Sequence, residues 1–309
     1  MKIVFMGTPD FAVPTLEMLI EEGHKIELVV TQPDKPKGRG NKQSFSPIKE
    51  VAIKHNLPVG QPTKLRNNTE FLEIIKNIAP DLIVVVAFGQ ILPKEILELP
   101  PLGCINIHGS ILPKYRGAAP IQWAVIDGEH KTGVTIMYMD EGLDTGDMLY
   151  KKEIEILEED NSGTLFEKMS ELGKEALKEA LPAIISGGKQ RIPQQHENAT
   201  IAPRITKSLG KIDFNLPATV ISNLIKGLYP WPIAFIEYKD MLIKIHKACV
   251  VEEDSEKRPG TIVKVDKDGI MVQTSDKMLL LTEIQVPNKK KIAVSEYIKG
   301  NVIEEGYVL

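Results

Sequence analysis

Residues 82–88, Leu-Ile-Val-Val-Val-Ala-Phe, are apolar at every position, so a strand formed there must be covered on both faces. A run rich in β-branched residues, without polar alternation, suits a central strand of a parallel sheet sheltered by helices. The opening of the chain supplies its neighbours. Residues 2–6 (KIVFM) form a short apolar run ending at Gly7. Helical spacing follows at Ala12, Leu16, Leu19 and Ile20, with Asp10 as the expected N-cap and Gly23 as the stop. Residues 25–31 (KIELVVT) read as the next strand. Strand, helix and strand in succession imply a parallel α/β sheet. Further strands are expected over 103–109 and 133–139. A helix is expected over 162–185, where Leu165, Phe166, Met169, Leu172, Ala176 and Leu177 recur at helical spacing.

The texture then changes. The polar stretch from Ser186 to Pro203 reads as a connector, and short β-rich runs follow at 235–238, 242–251, 260–265, 269–274 and 278–282. Regularly spaced short strands with turns between them predict a small β-barrel. At 309 residues the chain has room for two domains. The expected division is an α/β domain over 1–188, a linker over 189–207 and a β-barrel domain over 208–309.

Several function classes drop out early. The two cysteines, Cys104 and Cys249, cannot form a disulfide framework and have no metal-type spacing. Pro9, Asp10 and Pro14 interrupt the first apolar run, so it does not read as a signal peptide, and no run reaches membrane-spanning length. A soluble protein of the reducing cytoplasm is expected. The net charge of −4 excludes a uniformly basic nucleic-acid binder, so any such partner must be held by patches. Lys35, Lys37, Arg39 and Lys42 form one basic cluster within an otherwise acidic N-terminal part.

Chemistry concentrates in two places. Along an extended 103–109, Cys104, Asn106 and His108 project to one face and Ile105 and Ile107 to the other. An amide and an imidazole then stand together at the carboxyl end of a strand, where open α/β sheets bind ligands. A half-buried strand with a satisfied core histidine is the plainer alternative. Asp144 lies in the loop Asp140-Glu141-Gly142-Leu143-Asp144-Thr145-Gly146, whose glycines permit unusual backbone conformations. A carboxylate near an imidazole favours its protonated form and orients it. The loop lacks calcium-loop spacing and otherwise reads as a solvated turn. Arg116, ahead of a helix, suits either an anion or an ordinary turn. The first turn, Gly7-Thr8-Pro9-Asp10, lacks the later glycines of a dinucleotide fingerprint, and Asp10 would repel a pyrophosphate.

In order along the chain stand Gly7-Thr8-Pro9-Asp10-Phe11, Gln32-Pro33-Asp34, Gly38-Arg39-Gly40 and Ala87-Phe88-Gly89. Then come Asn106-Ile107-His108-Gly109-Ser110-Ile111-Leu112-Pro113, Tyr115-Arg116-Gly117-Ala118-Ala119-Pro120 and Gly142-Leu143-Asp144-Thr145-Gly146. Taken together this series resembles the methionyl-tRNA formyltransferases, a family of folate-dependent formyltransferases, over essentially the whole chain. The resemblance implies a Rossmann-like N-terminal domain and an OB-like C-terminal barrel. It implies formyl transfer from 10-formyltetrahydrofolate to the methionine of initiator tRNA, without a metal, membrane or obligate protein partner. Asn106, His108 and Asp144 match the family's catalytic trio. Phe88, Gly89, Ser110, Ile111, Leu112, Pro113 and Asp140 are implied as folate contacts.

The resemblance also assigns Lys35, Lys37, Arg39 and Lys42 to a flexible loop that enters the acceptor region of the tRNA. Lys289, Lys290 and Lys291 suit a phosphate track on the barrel, and Tyr229-Pro230-Trp231-Pro232 reads as a packing corner or a stacking platform. Two rivals remain at this point. One is a sugar-nucleotide formyltransferase with the same trio, and the other is an RNA-binding protein whose first domain is inert.

Overall fold

The computed structural model describes residues 1–37, 42–187 and 190–309. In chain order they form β1 (Lys2–Gly7), α1 (Val13–Glu21), β2 (Lys25–Val30), β3 (Lys35–Lys37), β4 (Lys42–Ser44) and α2 (Pro47–Lys54). Then follow β5 (Val59–Gly60), α3 (Thr69–Ile78), β6 (Leu82–Val86), α4 (Lys94–Leu97), β7 (Cys104–His108) and β8 (Arg116–Gly117). Next come α5 (Pro120–Ile126), β9 (Lys131–Tyr138), β10 (Met148–Glu155), α6 (Ser162–Ile185) and β11 (Ile201–Ala202). The rest holds α7 (Ala218–Gly227), β12 (Ala234–Tyr238), β13 (Met241–Val251), β14 (Ile262–Asp266), β15 (Gly269–Gln273), β16 (Met278–Gln285), β17 (Ile292–Ala293) and α8 (Val294–Tyr297).

The chain divides into two compact units. The first comprises Met1–Gly117, Lys131–Ile154 and Phe166–Ala202, and the second Ala118–His130, Glu155–Leu165 and Pro203–Leu309. The second unit thus takes in α5 and the start of α6. The boundary expected after residue 188 lies outside the described residues.

The first unit is built on a seven-stranded sheet of order β10-β9-β7-β6-β1-β2-β5. From β5 to β7 neighbouring strands run parallel, and β9 runs antiparallel to β7. All five residues of β6 are buried, as their apolar run requires. The strand ends two residues before the apolar run does, because Ala87 turns to a positive φ of 47°. Strand order reverses at β1, which has β2 on one side and β6 on the other. In such sheets the crevice at the carboxyl ends beside the reversal receives ligands. Thr8 Oγ1 donates to the Phe88 carbonyl at 3.2 Å, and Gln32 Nε2 donates to the same oxygen at 3.1 Å. These bonds tie the carboxyl ends of β1, β2 and β6 together.

Two local expectations are corrected. Asp10 does not cap α1: it begins a short 3-10 turn, and the helix starts at Ala12 and Val13 without a side-chain cap. The basic segment, expected as a flexible loop, holds the β3/β4 hairpin pairing, with Lys37 opposite Lys42 in register. Arg39 lies outside the described residues. At the hairpin's base Lys49 Nζ holds Asp34 at 2.5 Å and Gln61 at 2.8 Å.

The second unit carries an antiparallel sheet of order β12-β13-β16-β15-β14, with β17 paired to β16. The small C-terminal β domain expected from the short strands is thus an antiparallel sheet. The pairing of β13 with β16 skips His246, a bulge of the kind that bends a strand. Helix α7 was not anticipated, although Ala218, Ile221, Leu224 and Ile225 carry a helical spacing and are buried. Ile221 and Ile225 join Ile243, Ile245 and Leu281 in one core. Trp231, between two prolines, is 53% exposed and forms no packing corner. Lys291 lies 3.1 Å from Glu283. Among the described residues, no helix is long and apolar enough to cross a membrane.

Candidate active site

The site grows from β7. Its Cys104 packs in a core with Val85, Phe88 and Ile96, while Ile107 faces α6 on the opposite side. There a Cβ on Gly173 would stand 3.0 Å from Ile107 Cγ2, so the glycine allows helix and strand their close approach. Strand alternation therefore puts Asn106 and His108 on the face away from α6. Among the described residues the Asn106 amide has no hydrogen-bond partner, and the residue is only half-buried.

His108 is 5% exposed, and its two ring nitrogens have different surroundings. Nε2 lies 2.9 Å from the Tyr115 carbonyl. A carbonyl only accepts, so Nε2 carries hydrogen and donates. Nδ1 is left facing Asp144 Oδ1 at 3.7 Å, inside ion-pair range and beyond a direct hydrogen bond. Catalytic hydrogen bonds of ligand-free sites are often this long and tighten around substrate. The plainer reading of a satisfied core histidine accounts for Nε2 and leaves Nδ1 unexplained.

Asp144 reaches this position through an unusual backbone, with φ at 52°. Aspartate tolerates that left-handed conformation better than most residues. Its Oδ2 accepts from the Gly117 N–H at 2.8 Å, which turns Oδ1 toward the histidine. The loop glycines serve by their lack of volume. A Cβ on Gly146 would stand 2.0 Å from the Tyr138 carbonyl, and one on Gly142 would stand 2.0 Å from Thr145 Oγ1. Neither glycine has a positive φ, so the expected conformational role passes to a steric one.

Of the implied folate residues, Phe88, Gly89 and Ser110 to Pro113 follow the carboxyl ends of β6 and β7, while Asp140 follows β9, which runs antiparallel and ends beside Ile105. The Phe88 ring is in the core, and its carbonyl takes the bonds from Thr8 and Gln32. Ser110 is fully buried and donates to the Lys114 carbonyl at 2.6 Å. Leu112 is buried with Met137 and Met148. Thr135, opposite His108 in the β7/β9 ladder, donates to the Ser110 carbonyl at 2.7 Å and accepts from the Leu112 N–H at 3.1 Å. The turn after β7 is thereby fixed. Gly89, Ile111 and Pro113 keep accessible surface. Asp140 uses Oδ1 on Gly142 N–H and Thr145 Oγ1, at 3.0 and 2.6 Å, to shape the Asp144 loop.

Three contributors lie in the connector and were invisible in the sequence. Gln194, 5% exposed, donates through Nε2 to the carbonyls of both Asp144 and Gly146, at 2.8 Å each. Its Oε1 accepts from Arg116 Nε and Nη2 at 3.1 and 2.6 Å. Arg116 Nη2 also reaches His196 Nδ1 at 3.1 Å, so this buried guanidinium serves the loop. Thr200 Oγ1 accepts from the Tyr115 N–H at 2.8 Å. Among the described residues, no group of three or more His, Cys, Asp or Glu could hold a metal ion.

Comparisons with known proteins give the chain its family. Residues 1–181 match the formyl transferase family, and residues 204–302 match the formyl transferase C-terminal domain. The methionyl-tRNA formyltransferase of Clostridioides difficile is 59% identical over 309 residues, covering 100% of both chains. That of Alkaliphilus oremlandii is 52% identical, covering 100% of this chain and 99% of the other. Among solved structures, the sugar 3N-formyl transferase WlaRD, in the presence of dTDP and 5-N-formyl-THF, superimposes with a TM-score of 0.69. It is 20% identical and covers 94% of this chain and 99% of that one, a likeness of fold. The chain therefore belongs to the formyl transferases and, within them, to the methionyl-tRNA formyltransferase family.

Proposed function

We propose that this enzyme transfers the formyl group of 10-formyltetrahydrofolate to the α-amino group of methionine on initiator tRNA, in the cytoplasm, through Asn106, His108 and Asp144. The observation that carries the assignment of residues is the arrangement on β7. An uncommitted amide stands beside an imidazole whose open nitrogen faces a carboxylate at 3.7 Å.

The chemistry follows from those groups. The neutral amine attacks the formyl carbon, a new C–N bond forms, and the carbonyl oxygen becomes an oxyanion. The Asn106 amide N–H stabilises that oxygen, an effect typically of a few kcal/mol in a water-poor site. His108 moves protons through Nδ1, since Nε2 is held by the Tyr115 carbonyl. Asp144 orients the ring and balances its charge when protonated. Collapse breaks the bond from carbon to the folate N10, which takes up a proton as the amine gives one up. The net proton count is unchanged.

We assign the formyl chemistry to residues 1–188 and tRNA contacts to 208–309 and the β3/β4 hairpin, with 189–207 between. Support for a nucleic-acid partner in the second unit comes from Trp231 and Arg204, which line a recess of about 270 Å³ with Ala118, Ala119, Gln122 and Ile205. An exposed aromatic ring and a cation are the residue types that receive bases and phosphates of single strands. The test is formyl transfer to methionyl initiator tRNA by wild type beside His108→Ala. Transfer that collapses in the variant supports the proposal. Unmodified tRNA with wild type would redirect the search to amino-sugar acceptors.

A further inference from the structure

The connector is built into the catalytic edge of the first unit. Ile192 bridges Met148, Gln194 reaches the Asp144 loop, and Ile201–Ala202 pair with Arg116–Gly117 as β11 and β8. Both supports of the His108–Asp144 pair converge on it. The Tyr115 carbonyl that holds Nε2 belongs to a residue whose N–H is fixed by Thr200. The Asp144 backbone, in its left-handed conformation, is held by Gln194.

We propose that Gln194 is a positioning residue for the formyl transfer, setting where Asp144 stands against His108. The inference rests on the functional reading above. Gln194 touches no reacting atom. Its amide nitrogen gathers the carbonyls of Asp144 and Gly146, two residues apart, onto one donor group, which curls the loop around Gly117. Its amide oxygen is gripped by two nitrogens of a buried guanidinium, so the amide cannot flip without setting N–H against N–H. An Asp144 free to leave the left-handed region would relax toward ordinary backbone angles and swing its carboxylate away. Misplacement by about 1 Å can cost about a hundredfold in rate.

Gln194→Glu separates this role from a merely structural one. The carboxylate keeps an acceptor for Arg116 but removes the donor that holds the two carbonyls. Gln194→Met removes both. Both are expected to lower kcat by about 10- to 100-fold while KM for folate and tRNA stays within about threefold, since only transition-state alignment is lost. The melting temperature of Gln194→Glu should fall less than that of Gln194→Met, because the Arg116 fork remains satisfied while the two carbonyls lose their donor in both. Wild-type kcat in either folded variant overturns the proposal, and Gln194→Met decides the question if the glutamate variant does not fold. An equal loss expressed in KM also overturns it. Absence of formylation by wild type would overturn the functional reading instead.

Discussion

The imidazole of His108 donates Nε2–H to the Tyr115 carbonyl at 2.9 Å, and this one bond decides how the ring can work. A donor committed to a carbonyl is fixed in tautomer and orientation, so proton exchange is confined to Nδ1. That nitrogen faces Asp144, whose other oxygen is held by Gly117 at 2.8 Å. The pair is thus preorganised from both ends by backbone groups.

The trio should therefore act mainly on the chemical step. Asn106→Ala is expected to lower kcat by about 10²–10³, the usual cost of one oxyanion donor. His108→Ala is expected to lower it by about 10²–10⁴. Asp144→Asn keeps an oxygen for the Gly117 N–H but loses the charge facing Nδ1, and its kcat should also fall well below wild type. Steady-state kinetics with both substrates at saturation provide the check. A folded variant with near-normal kcat would remove that residue from the trio.

Gly146 offers a steric test of the same loop. An added Cβ would meet the Tyr138 carbonyl at 2.0 Å, which the end of β9 cannot yield without moving the Asp144 backbone. Gly146→Ala is expected to cost about 1–3 kcal/mol, the usual range for overpacking a tight site. It should also reduce kcat. Denaturant unfolding and kinetics together decide. An active, equally stable variant would mean that the loop can shift freely.

What the sequence made legible here was periodic or local. The all-apolar 82–88 run announced a central strand, and alternation alone put Asn106 and His108 on one face. Asp144 followed from the family pattern, since no local signal ties residue 144 to residue 108. Gln194 was out of reach. A polar residue in a polar connector resembles any solvated glutamine, and its burial arises only because Ile192 and Ile201 pair with distant strands. The hairpin at 35–44 was hidden for a similar reason, because lysine and proline carry little strand propensity.

The two thiols should differ sharply in reactivity. Burial pushes the Cys104 thiol up to about 12, and it sits against the carbonyls of Ile96 and Leu97. Cys249 is exposed. The thiolate is the reactive form, so a thiol reagent at neutral to mildly alkaline pH should modify Cys249 alone in the native protein. Cys104 should stay inert until the chain unfolds. Fast modification of both thiols in the folded protein would contradict the buried placement.

Asp34 gives a pH signature at the base of the basic hairpin. Hydrogen bonds from the Lys49 ammonium and then the Gln61 amide hold its carboxyl below the usual aspartate range. With the folded value lower than the unfolded one, the stabilisation is present above the unfolded value, about pH 4, and is lost as pH falls through the folded value. Asp34→Asn should therefore melt below wild type at neutral pH, and the two curves should converge in acid. Equal melting temperatures at neutral pH, or a gap that persists in acid, would show that the cluster contributes nothing through ionisation.

The hairpin itself supplies the test of tRNA recognition. Lys37 and Lys42 are paired in register across β3 and β4, so the basic cluster of the sequence is carried on one short ribbon. Clustered cations are the residue types that meet phosphates. Each cation that meets a phosphate releases a condensed counterion, so the salt dependence reports how many phosphates are met. Replacing Lys37, Arg39 and Lys42 by alanine should raise Kd for initiator tRNA at low salt. It should also flatten the slope of log K against log salt by roughly 0.7–0.9 for each phosphate left without its cation. Wild type and variant should approach each other at high salt, where that electrostatic share is screened away. At saturating tRNA, kcat should hold, because the trio is untouched. An unchanged slope with unchanged Kd would mean that the acceptor arm is gripped elsewhere, with the second unit the next place to look.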